Sequence, residues 1–222
     1  MVGNKILTFR NAVTPLIFIN IFVFILQIVL GIEFTRNFML VSQDLYIRPW
    51  ILITSMFLHG GSMHLLFNMY ALLIFGSLIE QRIGTKRFLL IYFLSGILAG
   101  FIPTYEAALG ASGAIMGIIG VTIMLMPDLP VLLFFFIPMS LRTAGIIFAV
   151  LDLFGMFTPI RTGIAHYSHL VGLVCGLLYG FYLLRKKKSF IHRFTRRPKK
   201  ENANLTELSK EEIEDYLKYG RL

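Results

Sequence analysis

Charged residues are scarce in this chain of 222 residues, and their scarcity excludes an ordinary globular protein. Asp, Glu, Lys and Arg make up 15% of the sequence, against about 25% in a typical soluble domain. Hydrophobic residues make up 56%, and the mean hydropathy is +0.74. The single cysteine, Cys175, excludes a disulfide within the chain and is expected to pack in its apolar segment. This composition predicts an all-α polytopic membrane protein.

The basic residues are concentrated at one end of the chain. Of 21 Lys and Arg residues, 12 lie at or beyond Arg185, which indicates a basic tail rather than a nucleic-acid-binding surface. The stretch of residues 185–200, which ends at Lys200, suits the anionic inner leaflet of a membrane at up to ~1 kcal/mol per charge. A simple positive-inside anchor is the alternative. From Glu201 onward the tail becomes acidic.

Uncharged apolar stretches divide the rest of the chain into membrane spans, since a helix needs about 20 apolar residues to cross. Two stretches are too short to cross: residues 50–58 are expected in the interface, and residues 131–139 in an interfacial or partly buried loop. The last helix is expected to begin near Tyr167. The six predicted spans are residues 11–32, 63–82, 88–105, 112–126, 141–157 and 162–184.

The distribution of Lys and Arg predicts the orientation, because cytoplasmic loops collect positive charge. With the N-terminus inside, the outer loops hold only three basic residues, Arg36, Arg48 and Arg161, and both termini are cytoplasmic. The predicted organisation is a cytoplasmic N-terminus of residues 1–10, a six-helix core of residues 11–185 and a cytoplasmic tail of residues 186–222.

Polar side chains interrupt three of the spans at one depth near the outer face. Ser112 opens the fourth span and His169 lies at the outer end of the sixth. His64 and Asn68 share one face of the second span, at positions i and i+4. Ionisable groups are costly inside a membrane and indicate a functional site. Their shared depth therefore predicts a serine nucleophile beside a histidine base.

Each of these residues has a simpler interpretation when it is taken singly. Ser112 could be a helix N-cap, and Asn68 could be a hydrogen bonder between helices. His169 could satisfy its ring nitrogens on backbone carbonyls. Three such coincidences at one depth are less probable than one site.

Glycines repeat along the fourth and sixth spans, and small residues at this spacing let helix backbones approach closely. Taken alone, this pattern indicates only packing. Beside Ser112 and His169 it would bring a hydroxyl within about 2.6 to 3.2 Å of an imidazole. The glycines are Gly113, Gly117 and Gly120 in the fourth span, and Gly172, Gly176 and Gly180 in the sixth.

The sequence resembles the rhomboid family of intramembrane serine proteases over about residues 11–185. A Gly-x-Ser-Gly motif alone would be weak, but three motifs in one order and topology are specific. The motifs are His-Leu-Leu-Phe-Asn at residues 64–68, Gly-Ala-Ser-Gly at residues 110–113 and His-Leu-Val-Gly at residues 169–172.

The resemblance implies a six-helix bundle with a Ser-His dyad. Ser112 would be the nucleophile, and His169 the general base and then the general acid. His64, Asn68 and the backbone N–H of Ser112 would form the oxyanion hole. The implied substrates are single-span membrane proteins cut near the outer membrane face without a metal or other cofactor, and the expected location is the cell membrane of a prokaryote.

Residues near these four are expected to support the site, although one departs from the family pattern. Met116 stands where rhomboids often have an aromatic ring packed on the catalytic histidine, and a thioether packs less rigidly. The expected supporting residues are Gly110, Gly113, Gly172, Met116, His59 and His166.

Two acidic residues could be considered as a third catalytic group. Asp152 is the nearest candidate, but no motif links it to His169, so a dyad is preferred. Glu80 lies about 18 Å down the helix from Asn68, and is expected to be a structural hydrogen bonder or an inner-face ion pair.

Two other functions fit parts of the sequence. A rhomboid-like protein that binds membrane clients without cutting them would be expected to lack the serine or the histidine, and both are present. A metal site or metal transporter could use the four histidines near the outer face, but no HExxH motif or acidic ligand accompanies them. These histidines are His59, His64, His166 and His169.

Overall fold

Six long helices make up most of the computed structural model, which describes residues 11–101, 107–133, 136–157 and 165–195. We number them α1 to α6 in chain order, and each overlaps one of the six predicted spans. The helices are α1 (Val13–Phe38), α2 (Ser62–Ile83), α3 (Thr85–Gly100), α4 (Ser112–Leu125), α5 (Leu141–Phe157) and α6 (His166–Thr195).

Among the described residues, three helices are long and apolar enough to cross a membrane by length and composition, namely α1, α2 and α6. The other three have 16, 14 and 17 residues, which is fewer than the roughly 20 that a perpendicular helix needs. The count of six spans, the cytoplasmic termini and the three-part organisation therefore remain predictions. The N-terminal segment, the end of the third predicted span, residues 158–164 and the tail beyond residue 195 lie outside the described residues.

Large apolar side chains cover the outside of the bundle. Phe22 and Val29 of α1 and Phe154 of α5 are each more than 60% exposed. Apolar surface of this extent needs a lipid environment. The helices and their exposed faces identify an integral membrane protein.

Polar contacts hold α1 against α2 at two levels. The Glu80 carboxylate of α2 accepts hydrogen bonds from the backbone N–H groups of Ala12, at 2.7 Å, and Val13, at 3.2 Å. A carboxylate in this position pairs with the free N–H groups and positive dipole end of α1. In the middle of α1, Gln27 exchanges two hydrogen bonds with the backbone of His59, in the loop that leads into α2. Of the two roles expected for Glu80, the structural one is confirmed.

The first helix is longer than its predicted span because it continues past a break at Gly31. This residue has φ 77° and ψ −167°, a conformation that glycine adopts readily and other residues rarely do. Hydropathy predicted an end at residue 32, which is close to the break. After the break the chain resumes a helix to Phe38, so the polar segment after residue 32 is not simply a loop.

The structure of residues 131–139 was predicted less well than that of the helices. Residues 131–139 were expected in a loop, but Pro130–Leu133 and Ile137–Ser140 pair as an antiparallel hairpin. Pairing satisfies backbone groups that an apolar loop would leave bare. The all-α prediction is therefore wrong for this short segment. Residues 50–58 form a helical turn at Ile51–Thr54 and a 3₁₀ turn at Ser55–Phe57, and their place in the interface remains a prediction.

The closest helix contact is the seam between α4 and α6, where glycine faces meet. A methyl group built on Gly172 would lie 2.0 Å from the carbonyl oxygen of Gly113, and one on Gly176 would lie 2.0 Å from that of Gly117. Neither methyl group could be accommodated without moving a backbone. The predicted close approach of these two helices is confirmed, and α3 packs against both.

Candidate active site

Ser112 is the first residue of α4, and its hydroxyl does not cap that helix. The N-cap position belongs to Ala111, and no side chain caps the helix there. The first intrahelical bond runs from the Ile115 N–H to the Ala111 carbonyl oxygen at 3.0 Å. Unused N–H groups and the positive end of the helix dipole therefore surround Ser112. The structure therefore does not support the interpretation of Ser112 as a helix N-cap.

Gly110 brings Ser112 and His64 together. A methyl group built on Gly110 would lie 3.0 Å from Nε2 of His64 and 3.8 Å from Oγ of Ser112. The backbone of Gly110 also has φ 129°, which side-chain-bearing residues rarely adopt. Its N–H donates to the carbonyl oxygen of Ser55 at 2.9 Å, which fixes the turn before α4. Glycine is thus required here by both space and backbone conformation.

The neighbours of His64 determine which of its ring nitrogens carries the proton. The backbone N–H of Gly60 donates to Nδ1 of His64 at 3.3 Å. A neutral imidazole has one N–H, so the proton belongs on Nε2, the nitrogen nearest Gly110. His64 therefore presents a hydrogen-bond donor toward the Ser112 side of the site.

Asn68 lies one helical turn after His64 and is 6% exposed. Its side-chain amide donates one hydrogen bond to the backbone oxygen of His64 at 2.8 Å. The amide has a second N–H hydrogen, and its part in the site remains a prediction. His64 and Asn68 lie on one face of α2, as their spacing predicted.

His59 packs behind His64 and is almost fully buried. The two rings meet edge to face, with centroids 5.2 Å apart. His59 precedes α2, in a loop whose backbone is held by Gln27 of α1. Burial and the neighbouring His64 imidazole lower the pKa of His59 to about 4. The His59 ring is therefore neutral at neutral pH and places no positive charge beside His64.

The α4–α6 seam joins the Ser112 side of the site to the start of α6. Gly113 follows Ser112 and faces α6, where a methyl group on it would lie 3.5 Å from the backbone oxygen of Ser168. Gly172, one turn after His169, meets the carbonyl oxygen of Gly113. Ser168 donates its hydroxyl to the carbonyl oxygen of Ala99 in α3 at 3.2 Å. The first turn of α6, which contains His169, therefore lies across the seam from the start of α4.

Asp152 of α5 contacts two histidines of α6 through one oxygen. Its Oδ1 lies 2.7 Å from Nδ1 of His166 and 3.2 Å from Nδ1 of His169. Gly155, three residues further along α5, packs against the His166 ring, since a methyl group built on it would lie 2.4 Å from Cε1. The preference for an isolated dyad did not foresee this carboxylate contact.

A small cavity opens beside Ser112, with a volume of about 30 Å³. Ser55, Ser112 and Ser168 are the hydroxyl-bearing residues that line it, together with Gly110 and Gly113. This volume is enough for one or two water molecules. The cavity therefore leaves room for a small reactant next to Ser112, at the start of α4.

Comparison with known proteins decides the family. The family model described as the Rhomboid domain matches residues 47–186, more than half of the chain. The chain belongs to the rhomboid family. This family of membrane proteins includes serine proteases.

Curated relatives of this rhomboid include bacterial and mitochondrial proteins. It is 35% identical over 145 residues to the putative rhomboid protease YdcA of Bacillus subtilis, covering 63% of this chain and 69% of that protein. It is 33% identical over 146 residues to RHOMBOID-like protein 6, mitochondrial, of Arabidopsis thaliana, covering 64% and 46%. It is 31% identical over 187 residues to Rhomboid protein 1, mitochondrial, of Saccharomyces cerevisiae, covering 78% and 54%. The matched part spans about half the length of the plant and yeast relatives.

Two contacts of this rhomboid were not predicted from its sequence. Gln27 carried no prediction beyond its place in the first span. Asp152 was not assigned a catalytic role, because no motif links it to His169. Met116 is buried in α4, one turn after Ser112, and its packing on His169 remains a prediction. Within the described ranges, no group of three His, Cys, Asp or Glu side chains is arranged to hold a metal ion.

Proposed function

We propose that this rhomboid is an intramembrane serine endopeptidase that cuts single-span membrane proteins near the outer membrane face. Ser112 is the nucleophile, and His169 is the general base and then the general acid. The observation that carries the proposal is the position of Ser112, which opens α4 beside His64 and across the glycine seam from the start of α6. The protease names of two bacterial relatives support the same activity.

The acyl-transfer chemistry follows from these side chains. A serine hydroxyl is a poor nucleophile until a base takes its proton during attack. Nε2 of His169 takes the proton from Oγ of Ser112 as Oγ bonds to the substrate carbonyl carbon. The same proton then passes from His169 to the leaving amine as the peptide bond breaks. Water attacks the resulting ester by the reverse sequence of proton transfers and releases the second product.

Three donors suit the negative charge that develops on the substrate oxygen. They are the backbone N–H of Ser112, Nε2–H of His64 and the second amide hydrogen of Asn68. The first stands at the positive end of the α4 dipole, where an anion is favoured. Pre-positioned donors of this kind stabilise a tetrahedral intermediate without reorganisation during the reaction.

The proposed substrate must bend to reach this site. A membrane helix keeps its carbonyl groups in its own hydrogen bonds, so the scissile segment has to unwind before attack. Small and helix-weakening residues near the cut are therefore expected in a substrate. The outer position of the cut follows from the predicted orientation, in which the start of α4 and of α6 faces outward.

Labelling with a fluorophosphonate and cleavage of a synthetic single-span substrate in liposomes test the proposal together. We expect wild-type protein to label at Ser112, as located by mass spectrometry, and to cut the substrate. Ser112→Ala is expected to lose both. Ser168→Ala is the matched control, because Ser168 lines the same cavity, and it is expected to keep both.

The results also separate the proposal from its alternatives. Cleavage that survives in Ser112→Ala would overturn it. Wild-type protein that binds the substrate without labelling or cutting would favour a client-binding protein instead.

The oxyanion role of Asn68 makes a separate prediction. Asn68→Ala is expected to raise the barrier by about 3 kcal/mol, a fall in kcat of roughly 10²- to 10³-fold, as at other acyl-transfer sites that lose one donor. The control is Asn37→Ala, whose exposed side chain follows the break in α1. Steady-state cleavage in liposomes measures both variants, and near-wild-type kcat in Asn68→Ala would remove this residue from the oxyanion hole.

The membrane setting completes the proposal. We place the protein in the cell membrane of a prokaryote, with residues 185–200 against the anionic inner leaflet. The relatives are bacterial and mitochondrial, and both kinds of membrane contain anionic lipid. In the second half of α6, Arg185 stacks on Phe181 and Lys186 on Tyr182, as expected where a helix leaves the apolar region. Cell fractionation of a tagged protein tests the location.

A further inference from the structure

A buried carboxylate, that of Asp152, lies beside Nδ1 of His169. The side chains of Asp152, His166 and His169 are 10%, 13% and 19% exposed. A buried carboxylate is costly unless hydrogen bonds satisfy it. Two imidazole nitrogens do so here, at 2.7 and 3.2 Å.

We propose that Asp152 is a positioning residue that holds His169 in the tautomer and orientation needed to act as a base. The inference rests on the proposed protease function. The Ser-His pair is then completed by a carboxylate from α5, a helix that packs against both α6 and α4.

The hydrogen-bonding capacity of these groups determines the tautomer of His169. An ionised carboxylate only accepts hydrogen bonds, and a neutral imidazole has one N–H. Nδ1 of His169 must therefore carry the proton that it shares with Asp152. Nε2 is then left with its lone pair, which is the state that accepts the Ser112 proton. The carboxylate gains no proton during the reaction, since the proton that leaves Oγ of Ser112 stays on Nε2 until the leaving group takes it.

His166 fixes the carboxylate itself. Its Nδ1 makes the shorter contact to the same oxygen of Asp152. Its ring packs on the backbone of α5 at Gly155, where no side chain could fit without moving the ring. His166 thereby limits the rotation of Asp152. This contact assigns a specific role to His166, which the sequence predicted only as a supporting residue. A carboxylate held from two sides keeps its hydrogen bond to His169 in one direction.

The variant that tests the inference is Asp152→Asn, compared with Asp128→Asn. The amide of asparagine has nearly the shape of the carboxylate but can donate to Nδ1, which favours the tautomer protonated on Nε2. We expect kcat to fall by roughly 10²- to 10⁴-fold, by analogy with other serine hydrolases, with KM changed by less than about twofold. The rate of fluorophosphonate labelling at Ser112 should fall in parallel. Asp128 is 86% exposed and pairs with Arg142, so Asp128→Asn is expected to keep the wild-type kcat.

Two further measurements separate positioning from simple structural support. Asp152→Glu retains an acceptor and should restore part of the kcat that Asp152→Asn loses. In wild-type protein in liposomes, ¹⁵N spectra of histidine, with His169 assigned by the His169→Gln variant, should show the proton of His169 on Nδ1. This spectrum needs no Asp152 variant, so it decides the question even if Asp152→Asn fails to fold.

The possible results distinguish the two proposals. A kcat within twofold of wild type in Asp152→Asn, with Ser112→Ala inactive, would overturn the role of Asp152 and leave the protease proposal intact. A wild-type His169 protonated on Nε2 would do the same. Cleavage by Ser112→Ala would instead overturn the protease proposal.

Discussion

Two of the helices that pack against α6, namely α4 and α5, contact it in different ways. At the α4 seam, backbone meets backbone, because a methyl group built on Gly172 would lie 2.0 Å from the carbonyl oxygen of Gly113. On the α5 side, side chains make the contact, through Asp152 and the His166 ring. A backbone contact cannot relax by rotating a side chain, whereas the α5 contact can. The distance between the Ser112 and His169 helices is therefore fixed by the seam, and the direction of the His169 ring is left to α5.

The same substitution, glycine to alanine, can be made at positions that differ only in what the new methyl group would meet. In an open helix this change stabilises by about 1 kcal/mol, because alanine loses less conformational freedom on folding. Any destabilisation is therefore due to crowding. The new methyl group would meet a backbone oxygen at Gly172, an imidazole ring at Gly155 and the free end of an aliphatic side chain at Gly145.

Gly172→Ala is expected to have the largest effect. Its methyl group meets the carbonyl oxygen of Gly113, so α4 and α6 must separate. Overpacking of this kind costs about 1 to 3 kcal/mol of unfolding free energy, and a shift near 1 Å between reacting groups can cost roughly 10²-fold in rate. Reversible unfolding in mixed micelles and cleavage in liposomes measure the two losses.

The control for this change is Gly61→Ala, because a methyl group on Gly61 has nothing within 4 Å and its φ of 167° is ordinary extended backbone. We expect it to unfold like the wild type within about 0.5 kcal/mol. If Gly172→Ala proved as stable and as active as this control, the rigid seam would not exist.

Gly155→Ala is expected to have an intermediate effect. Its methyl group would lie 2.4 Å from Cε1 of His166, and the ring can turn aside at a cost of about 0.5 to 1.5 kcal/mol for a strained rotamer. Turning the ring weakens its hold on Asp152, so kcat should fall more than the stability loss suggests. Reversible unfolding in mixed micelles and cleavage in liposomes measure the two effects. A loss of unfolding free energy equal to that of Gly172→Ala would mean that α5 packs against α6 as rigidly as α4 does.

Gly145→Ala on α5 is expected to have the smallest effect. Its methyl group would lie 2.3 Å from Cδ1 of Ile123 in α4, and that terminal methyl can rotate away. The helix gain of about 1 kcal/mol then offsets the repacking cost. We expect an unfolding free energy within about 0.5 kcal/mol of wild type and unchanged kcat. A strong destabilisation would mean that α5 is as rigidly packed against α4 as α6 is.

Hydropathy, together with polar residues next to apolar runs, was enough to predict most helix bounds. The start of α4 at Ser112, the limits of α5 and the start of α6 near Tyr167 were predicted within one residue. Polar residues next to long apolar runs leave few alternative boundaries at these points. The glycine spacing likewise predicted the seam, because only small residues allow such an approach.

The remaining features depend on contacts between distant residues. The hairpin at residues 130–140 depends on strand pairing that an apolar run of nine residues does not reveal. Asp152 and His169 are 17 residues apart, and only the packing of α5 on α6 brings them together. Gln27 binds a backbone 32 residues away, and backbone partners leave no mark on the sequence. Local pattern therefore located the candidate site but not the groups that orient it.

The Glu80 carboxylate has a consequence for how deep the site lies in the membrane. Its two bonds to the start of α1 would both break if α2 slid by a single turn, about 5.4 Å. Those bonds thus fix the vertical register of the first helical pair. His64 is 16 residues further up the same helix, roughly 24 Å away. An acidic residue at the predicted inner end of α2 thereby sets the level at which the outer donors meet Ser112.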